Sequence, residues 1–361
     1  MKRILVTGAG GTPATNFVRS LRSSDSKFFI VGTDSSKFYV ARSEADVSYL
    51  IPGCNDQYYI QFLNYIIEKH QIEFVHVQND AEMRVVSEYR EKIKAKVFLP
   101  TKETVSCCMS KFETYKKWEN SGISVPKTFL IRNISDLTDA YDKLGQKIWL
   151  REISGAGGKG SVAPEDFDQA KTWINFHKGW GKFLAAELLS PDSVTWMSIW
   201  NEGKLVVAQT RKRAYWELSK LAPSGVSGAT GAGITMSDPK LDELAINCVK
   251  SVDPNPNGIF SVDLTYDFSG VPNPTEINIG RFFTTHEFFT RLGLNMPEIF
   301  INIAFGEQIP TFDKKINPLE NGWVWIRGMD FLPVLIKESK LEEFENNMSE
   351  MKAKIIQHEN E

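Results

Sequence analysis

Residues 261–281 read SVDLTYDFSGVPNPTEINIGR and predict a β-hairpin that brings two acidic side chains face to face. Ser269-Gly270 suits the two-residue turn of such a hairpin, because glycine tolerates the positive φ angles that tight turns need. A turn centred there puts Asp263 directly opposite Glu276 on the neighbouring strand. The stretch therefore predicts a pair of facing carboxylates.

The two faces of this hairpin differ in polarity. Asn278 shares the face of Glu276, because side chains alternate along a strand, and the opposite face carries Val262, Leu264, Ile277 and Ile279. Pro272 and Pro274 can shift the register by introducing a bulge. Facing carboxylates repel each other unless a cation lies between them, and oxygen ligands suit Mg²⁺ that is shared with phosphate groups. The alternative is a solvated polar face whose charges are balanced by Arg281.

Composition indicates a soluble globular protein with two or three structural units. The chain has 361 residues, of which 42% are hydrophobic and 24% are charged. Its formal net charge of −3 gives no electrostatic reason to expect a nucleic acid or an anionic membrane as partner. The sequence contains no apolar run long enough to span a bilayer, and its apolar start ends at once in a glycine turn, which is untypical of a signal peptide.

The cysteines of the chain predict a reducing environment. Cys54, Cys107, Cys108 and Cys248 form no CxxC pair, which favours unpaired thiols over a disulfide or a metal site. We therefore expect a cytoplasmic protein.

Residues 1–100 alternate between strand and helix patterns. Strands are predicted at Arg3–Thr7, Phe28–Thr33, Phe74–Gln78 and Lys96–Leu99, and helices at Asp56–His70 and Ala81–Ile93. Such alternation is typical of a parallel sheet with helices on its faces. A second α+β region follows. It runs to about residue 310, and the tail after it has a predicted strand at residues 322–329 and a charged helix at about residues 338–358.

A glycine-rich segment, GAGGTPA at residues 8–14, follows the first strand and opens a helix, as in dinucleotide-binding folds. Asp34 ends the next strand, where such folds place an acid that binds ribose. Pro13, however, replaces the third glycine of the GxGxxG pattern, which disfavours a dinucleotide site. We favour a tight structural turn that borders a substrate site. An NAD(P)-dependent reductase or epimerase is the alternative.

Two further segments place a cation beside features that suit phosphate. Ser110-Lys111 opens a helix that leads to GISVP at residues 122–126. Arg151 ends a predicted strand that runs into the glycine-rich loop SGAGGKGS at residues 154–161. Small residues let backbone N–H groups approach phosphate, and they allow a lid to move. A surface lysine and a simple turn are the plain alternatives.

Together with the acidic hairpin, these segments resemble the ATP-grasp superfamily, and most closely its carbamoyl-phosphate synthetase large-chain-like branch. The resemblance covers roughly residues 1–300. It implies an α/β, Rossmann-like pre-ATP-grasp domain followed by a two-subdomain ATP-grasp fold of the α+β type. The implied divisions are residues 1–100 for the pre-ATP-grasp domain, 101–185 for the subdomain with the glycine-rich lid, 186–310 for the subdomain with the metal site, and 311–361 for a C-terminal strand and helix extension.

The resemblance implies a metal site and a catalytic arginine in the hairpin. Asp263, Glu276 and Asn278 stand where the family binds Mg²⁺ or Mn²⁺. Arg281 is similar to the arginine that approaches the transferred phosphate, although Ile279-Gly280 separate it from the motif more widely than in the family.

A further basic residue follows from the strand that ends in QTRKR at residues 209–213. Family members have a basic residue here that binds the transferred phosphate or the acyl phosphate. We assign Arg211 to this role. Arg213 shares its strand face and remains an alternative. The following loop, at residues 223–233, is expected to border the acceptor pocket, with a disordered loop as the alternative.

The resemblance also implies a nucleotide site with phosphate, adenine and ribose contacts. Lys111, Arg151 and the lid bind the phosphates, the segment FLAAELLSPD at residues 183–192 reads adenine through its backbone, and an acid there binds the ribose. The residues assigned to the site are Lys111, Arg151, Gly157, Gly158, Lys159, Gly160, Glu187, Leu189 and Asp192. For Asp192, a surface acid is an equally good interpretation.

The implied activity is that of an ADP-forming ligase with ATP and Mg²⁺ as cofactors. It would activate a small carboxylate as an acyl phosphate and pass it to an amine, a thiol or another nucleophile. The sequence leaves open both substrates, the pathway and the oligomeric state, for which a homodimer is one option. A non-catalytic nucleotide-binding protein is the third hypothesis.

Overall fold

The computed structural model describes residues 1–154, 158, 160–328 and 330–360. Its helices are α1 (Thr12–Arg22), α2 (Lys37–Ala41), α3 (Tyr59–His70), α4 (Asp80–Glu88), α5 (Lys102–Cys108), α6 (Lys111–Asn120), α7 (Ile134–Leu144), α8 (Phe167–Phe176), α9 (Pro239–Val252), α10 (Glu287–Arg291), α11 (Met296–Phe305) and α12 (Glu338–Asn360). Its strands are β1 (Lys2–Thr7), β2 (Phe28–Asp34), β3 (Val47–Leu50), β4 (Phe74–His76), β5 (Lys96–Val97), β6 (Thr128–Ile131), β7 (Ile148–Glu152), β8 (Phe183–Glu187), β9 (Ser193–Asn201), β10 (Lys204–Trp216), β11 (Thr230–Met236), β12 (Gly258–Tyr266), β13 (Pro272–Ile279) and β14 (Val324–Ile326). Within the described ranges, no helix is both long and apolar enough to cross a membrane.

The first sheet is parallel, with strand order β3-β2-β1-β4-β5. This confirms the parallel sheet that the alternating pattern predicts. Strand β3 is not among the predicted strands. It lies at the edge of the sheet with mostly half-buried side chains, and its sequence VSYL therefore lacks the apolar run of an inner strand.

Two antiparallel sheets follow along the chain. Strands β6, β8 and β7 form a small sheet, and a larger sheet has the order β13-β12-β9-β10-β11-β14. Residues 230–233, which the sequence assigns to a loop, belong to strand β11. The strand predicted at residues 322–329 is shorter and spans only Val324–Ile326.

The acidic hairpin has the predicted pairing at Asp263 and Glu276 but not the predicted turn. Asp263 pairs with Glu276, as expected. The predicted two-residue turn is wrong. Asp267 N donates to Val271 O at 2.8 Å, so the loop between these residues has three residues. Gly270, the last of the three, has a φ of 81°. A bulge at Thr275 adds one residue to β13 and restores the register. Pro272 and Pro274, which come just before Thr275, gave the sequence signal for this bulge.

The first sheet and the six-stranded sheet share one hydrophobic core. Val6 of β1 and Phe17 of α1 belong to the same buried cluster as Ile199 of β9. A Cβ atom on Gly280, which has a φ of 67°, would lie only 2.5 Å from Met83 Sδ of α4. The end of the acidic hairpin is therefore pressed against the first sheet's helices, with no room for a side chain at position 280.

Helix α12 returns to the beginning of the fold. It packs against β3, α3 and α2, and Glu345 forms an ion pair with Lys37 at 2.9 Å. Met351 and Ile355 are buried against that surface. The charged helix predicted at residues 338–358 is therefore confirmed as an amphipathic cap.

Glu82 of α4 is a buried carboxyl group beneath the first glycine loop. Tyr59 Oη donates to Glu82 Oε1 at 2.9 Å, and Asn79 Nδ2 donates to Oε2. Burial raises the pKa of Glu82 to about 7. Between pH 4.5 and 7 the unfolded chain loses this proton while the folded chain keeps it, so the free energy of unfolding falls as the pH rises.

We expect Glu82→Gln to weaken this pH dependence. Urea unfolding at pH 5 and pH 7.5 should show a smaller loss of stability in the variant than in the wild type, by up to about 3 kcal/mol. Glu88→Gln, on the exposed side of the same helix, is the matched control and should behave as the wild type. An unchanged pH profile in Glu82→Gln would contradict the prediction.

Candidate active site

Asp263 and Glu276 lie on adjacent strands, and each carboxylate contacts a different basic residue. Lys111 Nζ is 3.2 Å from Glu276 Oε1, and Arg213 Nη2 is 3.7 Å from Asp263 Oδ1. Thr195 of β9 also donates a 2.5 Å hydrogen bond to Asp263 Oδ1. Separate cations from α6 and β10 therefore offset the repulsion between the paired acids.

Lys111 reaches the hairpin because of the way helix α6 begins. The Ser110 hydroxyl caps the helix by accepting a hydrogen bond from Glu113 N at 3.3 Å, and Lys111 N donates to Ile153 O at 3.2 Å. The start of α6 is thereby tied to the end of β7, beside the glycine-rich loop. A lysine at a helix N-terminus is unfavourable for the helix dipole, and the contact with Glu276 compensates for this.

Arg281 donates its hydrogen bonds to Asp80 and Asn278 rather than to the facing carboxylates, although the charges of Asp263 and Glu276 also act on it, so the solvated polar face stays an alternative. Its guanidinium binds Asp80 at the start of α4 through two hydrogen bonds, one from Nη2 to Oδ2 at 3.0 Å and one from Nε to Oδ1. Nη2 also donates to Asn278 Oδ1 at 2.8 Å, and Asn278 Nδ2 donates to Asp263 Oδ2 at 3.1 Å. A continuous network thus links the first sheet to the metal-ligand candidates.

Arg213 has its donors satisfied by protein groups. It donates to Ser193 Oγ at 2.5 Å and to Thr230 Oγ1 at 3.1 Å, and its guanidinium lies 3.6 Å from the ring centre of Trp216. These contacts fix Arg213 beside Asp263.

Arg211 differs from its neighbour because it is buried without comparable partners. It is 3% exposed, and its guanidinium lies 4.6 Å from the ring centre of Phe283. Its Nε and Nη1 have no hydrogen-bond partner among the residues that the structure describes. Burial, and then the nearby charge of Arg213, lowers the pKa of Arg211 to about 9.

The bulge at Thr275 connects the hairpin to the end of β7, which precedes the glycine-rich loop. The carbonyl of Thr275 accepts hydrogen bonds from Arg151 Nη2 and Tyr115 Oη, both at 2.8 Å. Arg151, at the end of β7, therefore lies beside the acidic hairpin. Bulges commonly redirect a strand next to an active site, and this one turns a backbone acceptor toward the cation.

The glycine-rich loop contacts the segment between β10 and β11. Gly158 has a φ of 68°, and a Cβ atom there would lie 2.3 Å from Val226 O. Gly160 has a φ of 73°, and its carbonyl accepts a 2.8 Å hydrogen bond from Trp173 Nε1. Gly157 and Lys159, also assigned to this loop from the sequence, lie outside the described residues.

The segment assigned to adenine follows strand β8. Glu187 accepts a 3.0 Å hydrogen bond from Lys127 N, and Leu189 is half-buried. Asp192 forms a surface ion pair with Lys212 Nζ at 2.9 Å. The surface role weighed for Asp192 accounts for this contact, and the ribose role stays a prediction.

The first glycine loop is closed by protein groups. A Cβ atom on Gly10 would lie 2.1 Å from Tyr39 O, so the backbone of α2 fills the space beside the glycine. Asp34 accepts hydrogen bonds from Gly10 N at 3.2 Å and Ser36 N at 3.1 Å. Little room is left for a pyrophosphate, and Asp34 stabilises its own turn, as the structural interpretation predicts.

The donor set of the hairpin fits a magnesium ion. The described residues contain no cluster of three His, Cys, Asp or Glu side chains suited to a metal. Asp263, Glu276 and Asn278 instead offer two carboxylates and an amide, which are oxygen donors, and one edge of Glu276 is open to solvent. Mg²⁺ is commonly held by one or two carboxylates together with phosphate oxygens and water, which matches this set.

Sequence reasoning missed Asp80 and Thr195. Asp80 follows β4 at the carboxyl edge of the parallel sheet, where ligands of such sheets bind, and this position is a signal that could have been used. Thr195 lies directly opposite Asp263 on β9. No spacing rule connects it to the hairpin, because the pairing joins strands that are distant along the chain.

Comparison with protein-family models gives one match. Residues 4–98 match the model described as PylC-like, N-terminal domain. No curated protein matches the chain.

Solved structures match nearly the whole chain. N5-carboxyaminoimidazole synthetase from Staphylococcus aureus aligns with a TM-score of 0.68 and 13% identity over 97% of this chain and 86% of its own. The biotin carboxylase domain of Hydrogenobacter thermophilus 2-oxoglutarate carboxylase, determined with MgADP and bicarbonate, aligns with a TM-score of 0.66 and 15% identity over 90% and 73%. L-amino acid ligase from Bacillus licheniformis aligns with a TM-score of 0.63 and 11% identity over 84% and 74%.

These proteins are ATP-grasp enzymes with a preceding α/β domain. The chain therefore has the ATP-grasp fold, including the pre-ATP-grasp domain, and the fold class inferred from the acidic hairpin is confirmed. The family model matches residues 4–98, which form the α/β domain built around the first sheet.

We expect Asp80 and Arg281 to be energetically coupled, because their contact is partly shielded from water. A double-mutant cycle with Asp80→Asn and Arg281→Gln, followed by urea unfolding, should give a coupling free energy of about 1–3 kcal/mol. The exposed pair Lys340–Glu343 is the control and should give less than about 1 kcal/mol. Equal coupling in the two pairs would argue against a structural link between α4 and the hairpin.

Proposed function

We propose that the chain is an ATP-dependent, ADP-forming ligase that activates a carboxylate as an acyl phosphate and transfers the acyl group to a nucleophile. The carrying observation is the convergence of the oxygen donors of Asp263, Glu276 and Asn278 with Lys111 and Arg151 beside a glycine-rich loop. This combination of a donor set for magnesium with cations for phosphate is what Mg·ATP requires.

The nucleotide would lie between the lid and the six-stranded sheet. Lys111 and Arg151 bind phosphate oxygens. To do so, Lys111 gives up its contact with Glu276 and contacts a phosphate oxygen instead. The backbone of the lid, at Gly158 and Gly160 among others, covers the β and γ phosphates, while Glu187 and Leu189 flank the adenine. Magnesium, when bound by Asp263, Glu276 and Asn278, would neutralise phosphate charge. The solved structures with bound ADP and magnesium support this choice of cofactors.

The carboxylate step forms one bond and breaks one. A carboxylate oxygen attacks the γ-phosphorus, the bond to the β-phosphate oxygen breaks, and ADP leaves. Arg281 and Arg211 stabilise the charge on the transferring group and on the acyl phosphate. Asp80 and Asn278 hold Arg281 in place, so the charge is stabilised without further reorganisation.

The acceptor step returns phosphate to solution. The nucleophile attacks the acyl carbon, the carbon–oxygen bond to phosphate breaks, and the nucleophile loses its proton. An amine is the acceptor that we favour, because several similar structures belong to carboxylate–amine ligases. The lid excludes water, which would otherwise hydrolyse the acyl phosphate.

We expect Glu276→Ala to abolish ATP turnover, with a loss of at least about 100-fold, because one of the two metal carboxylates is removed. Turnover is measured as ADP release across paired carboxylates and amines. Glu119→Ala, an exposed glutamate on α6, is the matched control and should retain full activity. Wild-type turnover in Glu276→Ala, with an unchanged melting temperature, would refute the metal assignment.

Ligand-induced stabilisation separates the competing functions. Mg·ATP should raise the melting temperature of the wild type, whereas NAD(P) should leave it unchanged, because a ligand stabilises only the fold that binds it. Stabilisation by NAD(P) alone would instead favour the reductase alternative. Binding of Mg·ATP without ADP release from any substrate pair would favour a non-catalytic nucleotide-binding protein.

A further inference from the structure

The six-stranded sheet carries buried hydrogen-bond donors that the described residues leave without acceptors. They are the hydroxyl of Ser261 on β12, Nε and Nη1 of Arg211 on β10, and Nε1 of Trp325 on β14. Buried donors are nearly always paired in folded proteins, because an unpaired buried donor destabilises the fold. Such groups in a sheet that also bears the acidic hairpin indicate a ligand that supplies the acceptors.

The donors of Arg211 and Trp325 belong to one group of side chains, which we call the Arg211 cluster: Arg211, Phe283, Phe288 and Trp325 around Gly233. Trp325 of β14 pairs with Gly233 of β11, so its side chain lies on the same face of the sheet as Arg213 and Arg211. A Cβ atom on Gly233 would lie 3.1 Å from Arg211 Cδ and 3.9 Å from Phe288 Cε1. The absence of a side chain at position 233 therefore brings the members of the cluster together.

Charge in this region favours an anion. The charges of Arg213 and Arg327 repel the positive charge of Arg211, whereas the carboxylate of Asp263 attracts it. Asp263 is already bound by Thr195, Asn278 and Arg213. Arg327 is neutralised by its own buried partner, Asp330. The positive charge of Arg211 is thus left for a ligand to balance.

The aromatic side chains of the cluster favour a planar ligand. The ring of Phe283 covers one face of the guanidinium at 4.6 Å, and Phe288 stacks on Trp325 with ring centres 5.8 Å apart and planes inclined by 27°. Aromatic side chains stack favourably on planar unsaturated groups, and a saturated group of the same size cannot stack in this way.

We propose that the carboxylate substrate carries an aromatic or other planar unsaturated group beside its carboxylate, and that Trp325 is a specificity-determining residue. The carboxylate accepts hydrogen bonds from Arg211 and from Trp325 Nε1, and the planar group lies against Phe283 and Phe288. This inference rests on the proposed function, since it names the class of carboxylate that the ligase would activate.

The test uses the full-length chain with Mg·ATP and two probes of similar size, benzoate and cyclohexanecarboxylate. Binding is followed by calorimetry in the presence of Mg²⁺ and a non-hydrolysable ATP analogue. We expect benzoate to bind the wild type at least about 10-fold more tightly than cyclohexanecarboxylate. Trp325→Phe, which keeps a ring but removes the donor, should weaken benzoate about 10-fold or more, and Arg211→Met should remove binding.

Several outcomes would overturn the inference. Equal affinities for the two probes, or wild-type benzoate affinity in Trp325→Phe, would do so. Trp323→Phe, which changes a half-exposed indole on the same edge of the sheet, is the matched control and should bind benzoate as the wild type does.

Nucleotide binding separates this inference from the proposed function. If the nucleotide binds the wild type and the variants but benzoate does not bind the wild type, the inference fails alone. If the nucleotide does not bind the wild type, the proposed function fails and the inference fails with it. A melting temperature close to that of the wild type establishes that both variants are folded.

Discussion

The structure depends on the repulsion between two carboxylates that the pairing of β12 and β13 forces together. Asp263 and Glu276 are direct partners across the hairpin, and like charges in such positions destabilise a sheet. Cations from two separate elements offset this repulsion in the structure: Lys111 from α6 and Arg213 from β10. The hairpin, helix α6 and strand β10 are therefore arranged around one electrostatic requirement. A divalent cation would meet the same requirement more strongly than two monovalent ones.

The network around Arg281 joins the pre-ATP-grasp domain to the six-stranded sheet. Asp80 stands at the carboxyl edge of the first sheet, and Asn278 lies beside Asp263 in the larger sheet. Arg281 joins them, while Gly280 allows the close approach of α4. A displacement of the first sheet would therefore also move the side chains that are proposed to hold magnesium. A buried core shared by β1, α1 and β9 makes such a displacement costly.

Much of the fold could be inferred from the sequence, because periodicity and turn chemistry are local properties. The parallel sheet, the helix opened by Ser110 and the pairing of Asp263 with Glu276 follow from such patterns. The pairing was predicted from a turn that is one residue too short, and it holds because the bulge at Thr275 compensates. Local rules gave the correct partners at the site and the wrong geometry at the tip of the hairpin.

The remaining parts of the site could not be read in this way, because they depend on contacts between distant segments. Asp80 meets Arg281 only after the two sheets pack together, and Trp325 joins Arg211 only through the pairing of β14 with β11. The sequence signals at these positions are weak. An acid after a strand and a tryptophan in a short edge strand are both common, and neither shows which residue it will contact.

The position of α12 has a consequence for the order in which the chain acquires its structure. Strand β3 is an edge strand, and the helix that packs against it is synthesised long after it. While the chain is growing, that edge has unpaired backbone groups, which are a site for association with other chains. Strand β3 has only four residues, and a short edge strand reduces this hazard. The shortness that makes the strand hard to recognise in the sequence thus also limits the edge that the nascent protein exposes.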